Sequence, residues 1–334
     1  MESLQDVKSG AKVEGEAEVV LEKLALVHRR DLPKDIFQRK PSVFVAKFAF
    51  AFALIGVGAA SVLADLGPIA DVVGIVVIGA IYAHLVELQH ECLHQHAFRS
   101  RRLNRVFGFL SGVFMLSSYS HYRYEHLAHH ANLGTSKNKE FFNYRFKNLD
   151  SVWGFVKGAF HLGRYTEVLK SIGRAATGRP VMPGGRVHEN KRLREEYLLL
   201  IALLAATVVA AFAFDAWMPI LLLWVLPNFL VAEPCHFLIE MPEHFGLNTQ
   251  TDPDVRSNTR TINATRVGAW YTNYNNLHTA HHYHYGVPMV NVPKLHDIVT
   301  PEIKVIEESY PAFFRRVLKG DWKYTNFEET CMTR

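Results

Sequence analysis

Three short runs of histidine could do chemistry. His90-Glu91-Cys92-Leu93-His94 is followed by His96, His126-Leu127-Ala128-His129-His130 stands alone, and His278-Thr279-Ala280-His281-His282 is followed by His284. Side chains at i, i+3 and i+4 share a helix face, so each run turns two or three imidazoles the same way if its segment is helical. The chain has 18 histidines in 334 residues. At that frequency chance supplies roughly 0.05 copies of His-x-x-His-His, so two copies mark a built site rather than scattered histidines. The eight box histidines are too many for one ion and imply two. Imidazole suits iron, zinc, copper and nickel alike. A structural zinc would draw on cysteine and need only four ligands, whereas Cys92, Cys235 and Cys331 are few and far apart. That spacing makes no disulfide framework and fits a reducing compartment.

The elements that must position these runs are apolar. Hydrophobic residues make up 49% of the chain and charged residues 21%, values that alone leave the class open, but the apolar residues collect in blocks with the charges between them. Four blocks, about 43–64, 69–88, 197–214 and 217–238, are long enough as helices to cross a ~30 Å hydrocarbon layer. Lys47 sits near the start of the first, where its stem can reach the interface. Leu66-Gly67-Pro68 turns the chain between the first two, and Pro219, Pro227 and Pro234 should kink the fourth. Gly108–Met115 is apolar but short and reads as an interfacial helix. The connections at Asp65–Pro68 and Asp215-Ala216 lack Lys and Arg, whereas the segment from Arg99 to Arg194 is rich in them. The positive-inside rule then puts that segment, both termini and all three histidine runs on the cytoplasmic side. The formal charge of +5, with pI near 9.0, fits a basic membrane-facing side; no basic run interleaved with aromatics suggests nucleic acid. The expected organisation is a cytoplasmic segment over 1–40, a membrane domain over 41–300 and a cytoplasmic tail over 301–334. Glu14–Val27 has the spacing of a surface helix, and no cleavable signal peptide is apparent.

The boxes and their surroundings resemble the membrane fatty-acid desaturase and hydroxylase superfamily, with its His-x-x-x-His, His-x-x-His-His and His-x-x-His-His pattern. Tyr122-Arg123-Tyr124-Glu125 ahead of the second box is similar to that family. So is Asn276-Leu277 ahead of the third box, with Gly286-Val287-Pro288 and Val292-Pro293-Lys294-Leu295-His296 beyond it. The resemblance covers about residues 40–300. It implies an all-α integral membrane protein of about four transmembrane helices, with a cytoplasmic helical cap carrying a non-haem di-iron site. It also implies O2-dependent attack on a C–H bond of an acyl or lipid-like substrate, giving desaturation or, as the alternative, hydroxylation by a monooxygenase. The implied metal residues are His90, His94, His126, His129, His130, His278, His281 and His282, joined by His244 of His244-Phe245-Gly246, which resembles an extra histidine of the family. Glu240 falls where some members place a ligand or a water-binding residue. Glu91, His96, Asn276 and His284 fit supporting positions around the metals, and His84 and His236 read as structural.

Other readings compete at single motifs. His90-Glu91-x-x-His94 also satisfies the zinc-protease pattern with Glu91 as general base, but an intramembrane protease leaves both His-x-x-His-His boxes unexplained. A metal transporter should hold its polar residues near the middle of the spans, and these lie beyond the ends. Val181-Met182-Pro183-Gly184-Gly185 is similar to a cytochrome b5 haem motif with Met182 in the histidine's place, and reads as a loop. No flavin or dinucleotide fingerprint appears. The electrons for O2 chemistry must then come from an external donor of ferredoxin, rubredoxin or cytochrome b5 type.

Overall fold

The computed structural model describes residues 27–142, 144, 149, 151–160 and 162–321. Apart from Val27, the helix expected over Glu14–Val27 lies outside them, as does Cys331 at the C-terminus. The described chain is mostly helical, and four helices are long and apolar enough to cross a membrane. These are α1 (Pro41–Leu63), α2 (Pro68–Leu93), α7 (Val187–Ala213) and α8 (Trp217–His244). The chain divides into two compact units, one made of Arg39–Arg123 and Val156–Ile239, the other of Met1–Gln38, Tyr124–Phe155 and Glu240–Arg334.

The first unit contains nearly all of the four long helices. Gly67, at φ +98°, takes a left-handed backbone open to glycine and turns α1 into α2 just before Pro68. Small residues then let the two helices approach: a Cβ on Gly74 would lie 2.7 Å from the Gly58 carbonyl oxygen. Close backbone approach of this kind replaces the hydrophobic drive that lipid cannot supply. Many of the outer side chains of these helices, such as Val57, Val72, Val209 and Phe212, are exposed and apolar, as surfaces solvated by hydrocarbon should be. The C-terminal half of α2 is the reverse: His84, Glu87, Gln89, His90 and Glu91 are all buried. Polar side chains packed there are costly and point to function.

Helix bounds differ from the hydropathy reading in two instructive places. α7 begins at Val187 rather than Tyr197, because its first turns are polar and helical at once: the Glu189 carboxylate accepts from the Arg186 backbone N–H at 2.9 Å, capping the helix well before its apolar part. In α8 Pro227 opens the second of two π-helical stretches, Leu221–Val225 and Pro227–Ala232, while Pro219 and Pro234 lie in the α-helical turns on either side. The segment expected to be interfacial, Gly108–Met115, falls in the end of α3 (Arg101–Gly112) and a 3-10 turn, Val113–Met115. The exposed Leu103, Val106 and Leu110 of α3 share one face at helical spacing. After α4 (Tyr119–Asn132) come α5 (Val152–Ala159) and α6 (Gly163–Ala176). Met182 to Gly185 forms a turn closed by Gly185 N–H to the Met182 carbonyl at 3.1 Å, as the loop reading expects.

The second unit is built of short helices: α9 (Val255–Asn258), α10 (Arg266–Tyr271), α11 (His278–Tyr283), α12 (Val292–Val299) and α13 (Tyr310–Lys319). Its two-stranded parallel sheet pairs β1 (Thr261–Ile262) with β2 (Ile306–Glu307), Thr261 opposite Ile306. Its core gathers Leu32, Ile36, Leu133, Val255, Ala280, Tyr283, Met289 and Leu295. Ala280 and Tyr283 belong to α11, so that helix gives one side to the core and leaves His278, His281 and His282 for the other.

Candidate metal centre

Seven of the nine expected metal residues lie in the second unit, and their rings form two adjoining knots. In the first, ligand atoms of His129, His244, His278 and His282 all lie within 4.8 Å of one another. His278 Nε2 is 3.0 Å from His244 Nε2, and His129 Nε2 is 3.4 Å from His282 Nε2. In the second, His130 Nε2 is 2.9 Å from His126 Nε2 and 3.1 Å from His281 Nε2. The rings of His130 and His282 stand 4.2 Å apart, centroid to centroid, so the knots are neighbours. α4 delivers His126, His129 and His130, α11 delivers His278, His281 and His282, and the end of α8 delivers His244.

The outer ring nitrogens decide what the inner ones can do. His244 Nδ1 lies 2.9 Å from the Asn258 carbonyl oxygen, which can only accept, so Nδ1 carries the proton. His278 Nδ1 lies 3.1 Å from Asn275 Oδ1, and the Asn275 amide is oriented by donating its Nδ2 to Glu243 at 2.5 Å. His129 Nδ1 meets Asn138 Oδ1 at 2.7 Å and Glu140 Oε1 at 2.8 Å. In the neutral tautomer each of these three rings therefore turns an Nε2 lone pair inward. Converging lone pairs repel, and a cation among them removes the repulsion. The donor set thus fits a metal, with each ring fixed from outside in the manner of metal-bound histidines.

Charge supports the same conclusion. Glu140 Oε1 is also 3.7 Å from His244 Nε2, and Glu243 Oε2 is 3.3 Å from His278 Nε2, so two carboxylates border the converging rings. Burial opposes charge on His129, yet Glu140 and Asn138 hold its pKa above the usual histidine value. His282 is pushed well below that value, first by burial and then by the neighbouring histidines. It stays neutral, the form that coordinates.

The chain around His244 is braced by Arg260. This buried side chain donates to the carbonyls of Pro242 and Phe245, the latter at 2.8 Å, and lies over the Phe313 ring. It closes the C-terminal end of α8, where carbonyls lack helical partners.

The supporting residues fall differently from the sequence reading. Asn275, next to the expected Asn276, holds His278, while Asn276 donates to the Ile262 carbonyl at 2.8 Å and fixes β1. Glu240 is outside the converging group of four, and Glu243 is the acid at His278. His284 turns its Nε2 to the Val27 carbonyl, 3.3 Å away, where it anchors the N-terminal strap rather than the knots. Glu140, Asn138 and Asn258 carry no motif, and the spacing of the boxes gives no sign of them.

His90 and His94 belong to the first unit, at the C-terminal end of α2, their rings 4.8 Å apart with His96 stacked 5.2 Å from His94. Glu87, His90, Glu91 and His94 follow one another along one face of the helix. His84 and His236 are both fully buried, and His236 Nε2 lies 3.9 Å from Glu87 Oε1.

Comparison with known proteins agrees with this arrangement. A curated protein named "Fatty acid desaturase" from Bacillus subtilis (strain 168) is 43% identical over 42 residues, 13% of this chain and 12% of that protein. The likeness to that relative is therefore confined to a short stretch of each. The fatty acid desaturase family model matches residues 66–316, well over half of the chain and inclusive of all three boxes. The chain belongs to the fatty acid desaturase family.

Proposed function

We propose that the protein is a membrane di-iron oxidoreductase that uses O2 to remove hydrogen from a C–H bond of an acyl or lipid-like substrate, with desaturation as the outcome. The observation that carries this reading is the pair of imidazole knots, with inner nitrogens directed together and the outer nitrogens of His129, His244 and His278 tied down. Nine histidines form the proposed ligand set: His90, His94, His126, His129, His130, His244, His278, His281 and His282. His90 and His94 enter it on their box pattern. When bound, the iron pair supplies the oxidising power drawn from O2 and two external electrons. The chain's own residues set its conditions. Glu140, Asn138, Asn258 and Asn275 fix ring tautomers, and burial keeps competing water away.

Electrons come from a separate donor of ferredoxin, rubredoxin or cytochrome b5 type. Hydroxylation is the second reading, because the extra His244-Phe245-Gly246 after an acid is similar to alkane hydroxylases. A zinc protease built on His90-Glu91-x-x-His94 leaves both knots of the second unit without a role.

Two measurements test the proposal together. Purified protein should hold about two irons per chain and show no haem band. Cells with and without the gene should differ in a lipid or metabolite that loses about 2 Da on desaturation or gains about 16 Da on hydroxylation. A fully active preparation holding a single zinc would refute it.

Both termini and the histidine boxes are proposed to be cytoplasmic, on the strength of the basic segment between Arg99 and Arg194. Single cysteines introduced at Ser136 and at Asp65 should then label from opposite sides of the membrane. Labelling of both from one side breaks the four-span topology.

A further inference from the structure

The first unit holds a buried polar cluster away from the histidines. Arg164, on α6, donates through Nε to Glu233 Oε1 at 2.8 Å, again to Oε1 through Nη2, and to the Met115 carbonyl at 2.7 Å. Tyr165 Oη donates to the same Glu233 Oε1 at 2.5 Å and accepts from Asn228 Nδ2 at 2.9 Å. Arg164 Nε, Arg164 Nη2 and Tyr165 Oη all crowd onto one carboxylate oxygen, Glu233 Oε1. Glu233 Oε2 and Asn228 Oδ1 are left buried with no hydrogen-bond partner among the described residues. Glu233 is fully buried and Asn228 is 1% exposed. An ion pair serving only to pin α6 to α8 would satisfy both oxygens, since a buried acceptor left unmade is costly.

The backbone brings these two acceptors to one side. The Glu233 N–H bonds the Asn228 carbonyl across five residues, closing the second π-helical stretch of α8. In a π turn, residues five apart come round to the same face, and such turns cluster at functional sites. His236 follows Glu233 by three residues on that face and reaches to 3.9 Å from Glu87 on α2. Glu87 shares its own helix face with His90. A polar stripe therefore leads from Asn228 and Glu233, along α8, toward the α2 face that carries the first box.

We propose that Glu233 Oε2 and Asn228 Oδ1 form a subsite for an uncharged hydrogen-bond donor, a hydroxyl on the substrate at a distance from the carbon attacked. Two orphan acceptors select a donor, so a carboxylate or a bare hydrocarbon has nothing to offer them. Arg164 already balances the Glu233 charge, which favours a neutral hydroxyl over an ammonium. The substrate is then a hydroxylated apolar molecule rather than a plain acyl chain. The inference rests on the oxidoreductase reading only in calling the occupant a substrate.

The test compares dodecan-1-ol with 1-methoxyundecane, equal in heavy atoms but differing in the donor, by calorimetric binding to the full chain in lipid nanodiscs. The alcohol should bind about tenfold more tightly. Asn228→Leu, which keeps the Arg164–Glu233 pair, and Glu233→Gln should each shrink that ratio to about twofold or less, the second variant being read only if it melts like wild type. Equal binding of the two probes to the wild type, as when water alone fills the subsite, overturns the proposal. So does a ratio that survives Asn228→Leu. Neither measurement needs turnover. Selective alcohol binding by a protein that holds no iron would sustain the subsite and sink the oxidoreductase reading.

Discussion

Replacing His282 with Ala should abolish turnover and lower bound iron by about one per chain, while the protein still inserts in membranes. His282 is the hub of the second unit's histidines. Its ring lies 4.2 Å from that of His130, 4.4 Å from His278, 5.0 Å from His129 and 5.2 Å from His244. Its removal opens a gap that the rings of His129, His244 and His278 cannot move to fill, because each is tied from outside at Nδ1. Losses at the tying residues should be smaller. Glu140→Gln keeps the shape and an acceptor but removes the charge facing His129, and should cost ~10–100-fold in iron affinity or turnover. Iron per chain by elemental analysis separates the two variants. A His282→Ala protein carrying the wild-type iron content would remove it from the ligand set.

The contrast between these residues explains how much could be read from the chain. The box histidines are legible because a helix converts i, i+3 and i+4 into a shared face, and α4 and α11 are indeed helices. Glu140 and Asn138 come from the loop after α4, Asn258 offers only its carbonyl, and Glu243 occupies a helix end. None repeats with any period, and a carbonyl leaves no trace in residue identity. Asn275 and Asn276 show how fine the margin is: adjacent and identical in type, one orients the His278 ring and the other closes a turn onto β1. The four long helices are legible in number from the apolar blocks. The true start of α7 is not, because hydropathy registers burial in lipid whereas a charged turn such as Val187–Glu196 can be helical without it.

Glu196 is the sharpest case of a residue that hydropathy passes over. It lies on α7, one residue before the apolar block begins, and is buried. Its oxygens accept from Ser118 Oγ at 2.8 Å, Ser120 N–H at 2.8 Å and Ser120 Oγ at 2.6 Å. Arg105 Nε on α3 completes the set at 2.8 Å. Ser120 N–H is among the first amides of α4, which have no partner within their own helix. A carboxylate there also meets the positive end of the helix dipole. Glu196 thus caps from a distance the helix whose later turns carry His126, His129 and His130. Glu196→Leu strips that cap and leaves both serines without this acceptor, while Arg105 keeps its bond to Glu195 at 3.1 Å, a loss of ~1–3 kcal/mol for the donors left unmade. Arg105 is partly exposed, 35% for its side chain, so its own share is the smaller one. Glu196→Gln keeps an acceptor for the Ser120 amide and should lose roughly half as much. Thermal melting of the solubilised protein should rank wild type above Gln and Gln above Leu, with iron content falling in the same order as the box-two helix frays. A Leu variant that melts with the wild type while retaining its iron would mean that α4 holds its histidines without this cap.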